Sequence, residues 1–344
     1  MKKADSYSVA VVGATTGAGG VVVELLAERG FPVDEIYLLD SDDLAGGRIE
    51  FKGSYKSIRD VAEFDFSVVQ IALFVGSEAV AAKFVPKASK EGCVVIDSSS
   101  QFRMDSDVPL VVPEVNPQAI ADYKQRNLIA SPGSAAIQML VALKPIYDAV
   151  GIERINVSTY QAVSEMGQAG TDELASQTTS LLNMQALENN QFAKQIAFNV
   201  IPQVGTILDN GYTIEELRLI GESQKVLDDK SILITPTAVW VPVFFSHSES
   251  LHIETKSKIS APDARELLSQ CDGIEIVDEC AANDYPTPIS SGVGTDLVHI
   301  GRIREDIGSE NGLNLWVVSD NVRKGIALNC VQIAENLIKN HLCE

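Results

Sequence analysis

Short apolar runs alternate with amphipathic stretches through the first third of the chain. Ser8–Val12, Glu35–Asp40, Val69–Phe74, Cys93–Asp97 and Leu110–Val112 have the length and β-branched content of buried strands. A turn over Gly13–Gly20 leads into Val21–Glu28, a helix with Leu25 and Leu26 on its apolar face. Ser77–Glu91 predicts a second helix between two strands. Strand–helix–strand alternation of this kind implies an α/β unit built on a parallel, doubly wound sheet. From about Ser131 the rhythm changes. Ala135–Val150, Asp172–Leu187 and Thr213–Leu227 carry helical patterns. Ile155–Ala162, Ile232–Ile234, Val239–Phe245, Ser250–Thr255, Val298–Arg304 and Leu313–Val318 predict strands that lie close together. That mixture predicts an α+β unit with a largely antiparallel sheet. A final helix is expected over Val322–Leu342, with Ile326, Ile333 and Leu337 at helical spacing.

The length, 344 residues, suits two domains, and 45% hydrophobic residues provide for sizeable cores. Charge changes the picture more. Lys and Arg number 27 against 47 Asp and Glu, a formal net charge of −20. So acidic a surface repels phosphate backbones and anionic lipid heads, which argues against nucleic acid and membrane as partners. Five cysteines, Cys93, Cys271, Cys280, Cys330 and Cys343, form no CxxC pair. Four histidines, His247, His252, His299 and His341, do not join them at metal-ligand spacing, so no zinc site is expected. Tyr7–Val12 fits a strand better than a signal-peptide core, and no apolar run reaches the about 18 residues of a membrane span. A reducing, cytoplasmic setting with free thiols is the expectation.

GATTGAGG, Gly13–Gly20, follows the first strand and opens the first helix. Glycines there permit a tight turn and close approach of a pyrophosphate, whose charge a helix N-terminus favours. Gly13, Thr15, Thr16, Gly17 and Gly19 are the candidate dinucleotide-binding residues; a plain strand–helix turn is the alternative. The second strand ends at Asp40, about where an acid meets the adenosine ribose. Asp42 and Asp43 follow. Three acids would repel a 2′-phosphate, each pair by about 4 kcal/mol at 4 Å before screening. NAD is therefore favoured over NADP, with a solvated acidic loop as the alternative.

Further motifs carry a family resemblance along nearly the whole chain. They are GATTGAG, VIDSSSQFR (Val95–Arg103), DVPLVVPEVNP (Asp107–Pro117), IQM (Ile137–Met139), STYQAVS (Ser158–Ser164) and IAFNVIPQV (Ile196–Val204). PVFFSHSES (Pro242–Ser250), ETK (Glu254–Lys256), HIGRIRED (His299–Asp306), LWVVSDN (Leu315–Asn321) and KGIALNCVQIAE (Lys324–Glu335) continue the series. In this order they resemble bacterial aspartate-semialdehyde dehydrogenase, although the stretch around Asn183–Gln195 is shorter than is usual there. The resemblance implies a Rossmann-type N-terminal domain with a parallel sheet, residues 1–131 with 322–344. It implies an α+β substrate and dimerisation domain over residues 132–321, and a homodimer. The family performs reductive dephosphorylation of aspartyl phosphate, and its reverse, in amino-acid biosynthesis. In the oxidative direction a thiolate attacks the aldehyde, the nicotinamide takes a hydride, and phosphate releases the acyl group.

Carried over residue by residue, the resemblance gives a divided site. The family's cysteine nucleophile falls on Ser134 and the asparagine before it on Gly133. The active-site glutamine is kept as Gln161, the acid–base histidine as His247, and the phosphate-site arginine as Arg103. A lysine falls on Arg218. The arginine that holds the substrate carboxylate falls on Trp240, and the arginine that meets NADP falls on Asp43. Serine is a far weaker nucleophile than a thiolate, and tryptophan cannot clamp a carboxylate. The pattern resembles the Usg-type homologues that lack the cysteine. A paralogue without normal activity, keeping the dimer and a dinucleotide or small-anion site, is therefore expected. The alternative is an active NAD(P)-dependent enzyme of the family, or one with an altered substrate. Each residue also has a plainer role. Ser134 suits a helix start, His247 and Gln161 suit the sheet, Trp240 suits a core, and Arg103 and Arg218 suit salt bridges. A Ser134–His247 dyad is the sharper option, with no Asp placed to orient the histidine.

Overall fold

The computed structural model describes residues 6–279 and 283–342. They divide into two compact units, Met1–Gly133 with Ile326–Glu344, and Ser134–Gly325. The boundaries thus fall at 133 and 326 rather than at 131 and 322.

The first unit opens with β1 (Tyr7–Val12), α1 (Gly17–Glu28) and β2 (Val33–Asp40). Then come β3 (Arg48–Phe51), β4 (Ser54–Asp60), β5 (Ile71–Phe74), α2 (Glu78–Lys90), β6 (Val94–Asp97) and β7 (Leu128–Ala130). The sheet order is β3-β4-β2-β1-β5-β6-β7. All pairs are parallel except the β3–β4 hairpin. The chain leaves β1 toward β2 on one side and returns as β5 on the other. Ligands of such sheets bind outside the carboxyl ends of the strands at this switch. Val9, Val11, Leu25, Leu26, Leu73 and Ile96 are fully buried in one core.

Two expectations for this unit change. Leu110–Val112 is not a strand: Leu110 makes a single bridge to Ala130. Pro109 and Pro113 flank the run and remove the donors a ladder needs, so β7 takes the edge place. The closing helix, α7, covers Asn329–Asn340 rather than 322–342. A π-helical turn over Arg323–Leu328 precedes it. At the junction the Asn329 amide donates to Val111 O and Ser131 Oγ.

The second unit begins with α3 (Ser134–Val150), β8 (Ile152–Gln161), α4 (Gly167–Leu182) and α5 (Ile214–Val226). It continues with β9 (Leu233–Trp240), β10 (His247–Thr255), α6 (Ala261–Ser269), β11 (Ile274–Ile276), β12 (Val298–Glu305) and β13 (Gly312–Ser319). The order β11-β12-β13-β10-β8-β9 is antiparallel in the middle and parallel at both edge pairs. The expected strand over Val239–Phe245 instead ends at Trp240, because Pro242 cannot donate to a ladder. Pro236 is tolerated in β9 because β9 is an edge strand. Helix α4 lies about one turn earlier than Asp172–Leu187.

On β10 every second side chain from His247 to Thr255 is buried. Glu249 is among them, fully buried, and both its carboxyl oxygens lack a hydrogen bond. Burial pushes its carboxyl well above the ordinary value, offset only in part by Gln138 of α3. Below the ordinary carboxylate range the folded and unfolded chains are both protonated there. As pH rises, the unfolded chain releases its proton first, so the fold loses stability, by about 1.4 kcal/mol per pH unit until the folded group also ionises. Glu249→Gln removes this loss. Melting curves of the two proteins should nearly coincide near pH 4.5 and separate in favour of the variant toward pH 8. A pH-independent difference would refute this account.

Candidate functional site

The glycine-rich turn is built by its side chains as well as its glycines. Thr16 caps α1: its hydroxyl accepts from Gly19 N–H at 2.9 Å and donates to Gly13 O at 2.8 Å. Gly13 has φ +86°, and a Cβ there would lie 2.7 Å from Gly76 N. Over Gly17 and Gly20 a Cβ would meet open space. An open face above a capped helix start fits a pyrophosphate, so Gly13, Thr15, Thr16, Gly17 and Gly19 fit a dinucleotide.

Asp40 is more committed than the sequence suggested. Its Oδ2 accepts both Thr15 N–H at 3.0 Å and Thr15 Oγ1 at 2.6 Å. Its Oδ1 accepts Ser41 N–H at 2.9 Å. A carboxylate has about four acceptor positions, so one remains for a ribose. The residue ties β2 to the turn first. Asp42 and Asp43 lie exposed in a short 3-10 turn.

In the second unit Ser134, Gln161 and His247 lie at one end of the sheet. Ser134 starts α3, Gln161 ends β8 and His247 starts β10. What joins two of them is a residue not anticipated. Glu165, in the turn after β8, takes three hydrogen bonds on a single oxygen, Oε2. Ser134 Oγ donates at 3.1 Å, and His247 Nε2 and Asn321 Nδ2 each lie at 3.2 Å. His247 Nδ1 accepts the Ala162 backbone N–H at 3.0 Å. An amide can only donate, so the ring proton sits on Nε2 and points at Glu165. In this arrangement neither ring nitrogen of His247 is open to the Ser134 proton.

Asn321 is itself oriented, its Oδ1 accepting Ser246 N–H at 3.0 Å and Ser164 Oγ at 3.1 Å. Burial raises the Glu165 carboxyl, but the hydrogen bond to His247, with those from Asn321 and Ser134, outweighs it. The net direction is down, so the group is a carboxylate at neutral pH. The array is held close: a Cβ on Gly325 would lie 2.6 Å from the Ser134 Cβ. Glu165 had a weak signal in the sequence, since the STYQAVS motif stops one residue short of it. Asn321 lies within LWVVSDN, which by itself gives it no role.

Gln161 is buried, its amide donating to Thr159 Oγ1 at 3.3 Å and reaching Glu215 Oε1 of α5 at 3.5 Å. It is not part of the Glu165 array. Arg218 lies half-buried on α5, three residues beyond Glu215. Arg103 belongs to the first unit. There its Nη2 donates to Ser98 O at 2.6 Å. Nearby, burial raises the Asp97 carboxyl; the Ser99 bonds and the Arg103 charge offset it only in part.

Trp240 is packed in a small apolar cluster. It is 6% exposed, edge-on to Phe192 at 5.4 Å, within a cluster that includes Leu174, Ile196 and Ile201. No cysteine takes the nucleophile's place among the described residues. Burial raises the thiols of Cys93 and Cys271, and that of Cys330 to about 12. Cys280 and Cys343 lie outside the described residues. Among the described residues no group of three or more His, Cys, Asp or Glu could hold a metal ion. Among the described residues no helix is long and apolar enough to cross a membrane.

Two family models match the chain. Residues 8–123 match the semialdehyde dehydrogenase NAD binding domain, and residues 143–324 the semialdehyde dehydrogenase dimerisation domain. Aspartate-semialdehyde dehydrogenase 2 of Vibrio cholerae is 52% identical over 335 residues, 97% of this chain and 98% of its own. The aspartate-semialdehyde dehydrogenase of Aquifex aeolicus is 45% identical, covering 98% and 99%. A crystal structure of aspartate semialdehyde dehydrogenase II from Vibrio cholerae, complexed with ASA, superposes with a TM-score of 0.96. The match covers 98% of this chain and 100% of that one.

Proposed function

We propose, because this chain belongs to the aspartate-semialdehyde dehydrogenase family, that it is an NAD(P)-dependent dehydrogenase of a small semialdehyde. Its nucleophile, and with it the chemistry at the aldehyde, are altered. The observation that carries this reading is the array at Ser134. The position that resembles the family's cysteine is not empty or plugged by an apolar side chain. It is a serine bonded to a carboxylate that His247 and Asn321 hold in place. The names of relatives at 45–52% identity over the full chain support an active enzyme over an inert one.

A second reading has its own support. Ser134 gives its proton to a weak base and is not activated as a nucleophile, and Trp240 is spent in a core. A Usg-type paralogue, keeping the fold and a homodimer with dinucleotide or small-anion binding at Arg103 and Arg218, would have this site. The two differ in one assay. Purified protein with aspartate semialdehyde, with and without phosphate, and NAD or NADP should form reduced dinucleotide, where an ordinary enzyme turns over at roughly 10 s⁻¹. Binding without any turnover would favour the paralogue. On the cofactor, Asp42 and Asp43 support NAD over NADP. Calorimetric titration should give NAD a dissociation constant no weaker than that of NADP; tighter NADP binding would remove the argument from these acids.

A further inference from the structure

We infer that Glu165 is a catalytic base that adds water to the aldehyde carbonyl, so that this site works on the hydrate of a semialdehyde. The inference rests on the semialdehyde reading above. It is carried by counting acceptors around Ser134. His247 Nδ1 is filled by Ala162 N–H, and its Nε2 carries a proton. Asn321 Oδ1 is filled by Ser246 N–H and Ser164 Oγ. Glu165 Oε2 is filled by three donors. Glu165 Oε1 accepts no hydrogen bond from the described residues, and the side chain is 30% exposed. It is the open basic atom of the array, on a carboxylate whose other oxygen is fixed from three directions. Fixing one oxygen aims the second, as a base that must meet a water at hydrogen-bond distance requires.

The step balances without a further reactant. Oε1 takes one proton from water as the water oxygen bonds to the carbonyl carbon. The C=O π electrons move to the carbonyl oxygen, which takes a proton from solvent, and Glu165 returns its own proton to solvent. The product is a geminal diol. Inorganic phosphate has no part, and an anion would approach Glu165 against its charge. A neutral water meets no such barrier. The place of the thiolate is thus taken by water, and that of the thiolate–aldehyde adduct by the hydrate.

The test uses the full-length protein without dinucleotide, so it is independent of cofactor binding. The probe is aspartate semialdehyde. Magnetization-transfer NMR reads the exchange between its aldehyde and its hydrate, and mass spectrometry reads ¹⁸O uptake from labelled water. Wild-type protein should speed both at least tenfold over buffer. Glu165→Gln should lose about 100-fold or more of the protein-dependent rate, with its melting temperature and NAD titration unchanged. A wild-type rate equal to buffer overturns the inference, whatever the variant does. So does a Glu165→Gln protein as fast as wild type. Loss of dinucleotide binding with exchange intact would refute the dehydrogenase reading and leave this one standing.

Discussion

Trp240→Arg is expected to lower the melting temperature by roughly 6–20 °C, not to restore a carboxylate clamp. By the family resemblance an arginine belongs here, and the sequence alone suggests it as a repair. The structure places the indole in a small core, 6% exposed and edge-on to Phe192 at 5.4 Å. Its backbone exchanges hydrogen bonds with Ile201 at 2.9 and 3.0 Å, fastening the segment that covers it. Removing a large aromatic from such a cluster costs about 3–5 kcal/mol. A guanidinium put in its place loses water without a partner, which adds to the loss. In domains of this size each kcal/mol moves the melting point by about 2–4 °C. Circular dichroism melts read the outcome, with Trp240→Phe, which keeps a ring against Phe192, losing clearly less. An arginine variant melting within 2 °C of wild type would show that the cluster does not depend on the indole.

Gly19→Ala is expected to damage the first unit in a similar way, by about 3 kcal/mol. A Cβ on Gly19 would lie 2.1 Å from Gly13 O and 2.8 Å from the Ala14 Cα. Both contacts are backbone, so no side chain can turn aside. Overpacking of this kind costs about 1–3 kcal/mol and occasionally more; the 2.1 Å contact puts it at the upper end. The variant should melt about 6–12 °C lower and lose dinucleotide binding with the shape of the turn. Gly17→Ala is the control. Nothing lies within 4 Å of its Cβ, and at a helix start the change should stay within about 1 kcal/mol. Equal melting of the two variants would mean that the turn adapts.

Much of the fold is legible in the sequence because its signals are local. Strand–turn–helix alternation shows β1, α1, β2, β5, α2 and β6, and apolar spacing shows α3, α5, β10, β12 and β13. The β3–β4 hairpin is missed because both its faces are largely polar and its residues half-exposed. Helix α6 and strand β11 are missed because each is short. The prolines at 109, 113 and 242 matter for the opposite reason. They sit beside apolar runs that look like strands, and they withhold the donors that pairing needs.

The sequence by itself determined the two-unit α/β plan and the family, and by resemblance pointed to Ser134, Trp240 and Asp43 as altered positions. Those follow from residue identity and short spacing. It did not determine what the replacements do. Glu165 reaches Ser134 across 31 residues, His247 across 82 and Asn321 across 156. No spacing rule spans such separations; the ends of β8, β10 and β13 must first be paired in one sheet. Asp40 has the same lesson at 25 residues, where Thr15 takes the oxygen expected for a ribose. A polar atom's role depends on which acceptors and donors are already taken, and only the tertiary structure assigns those.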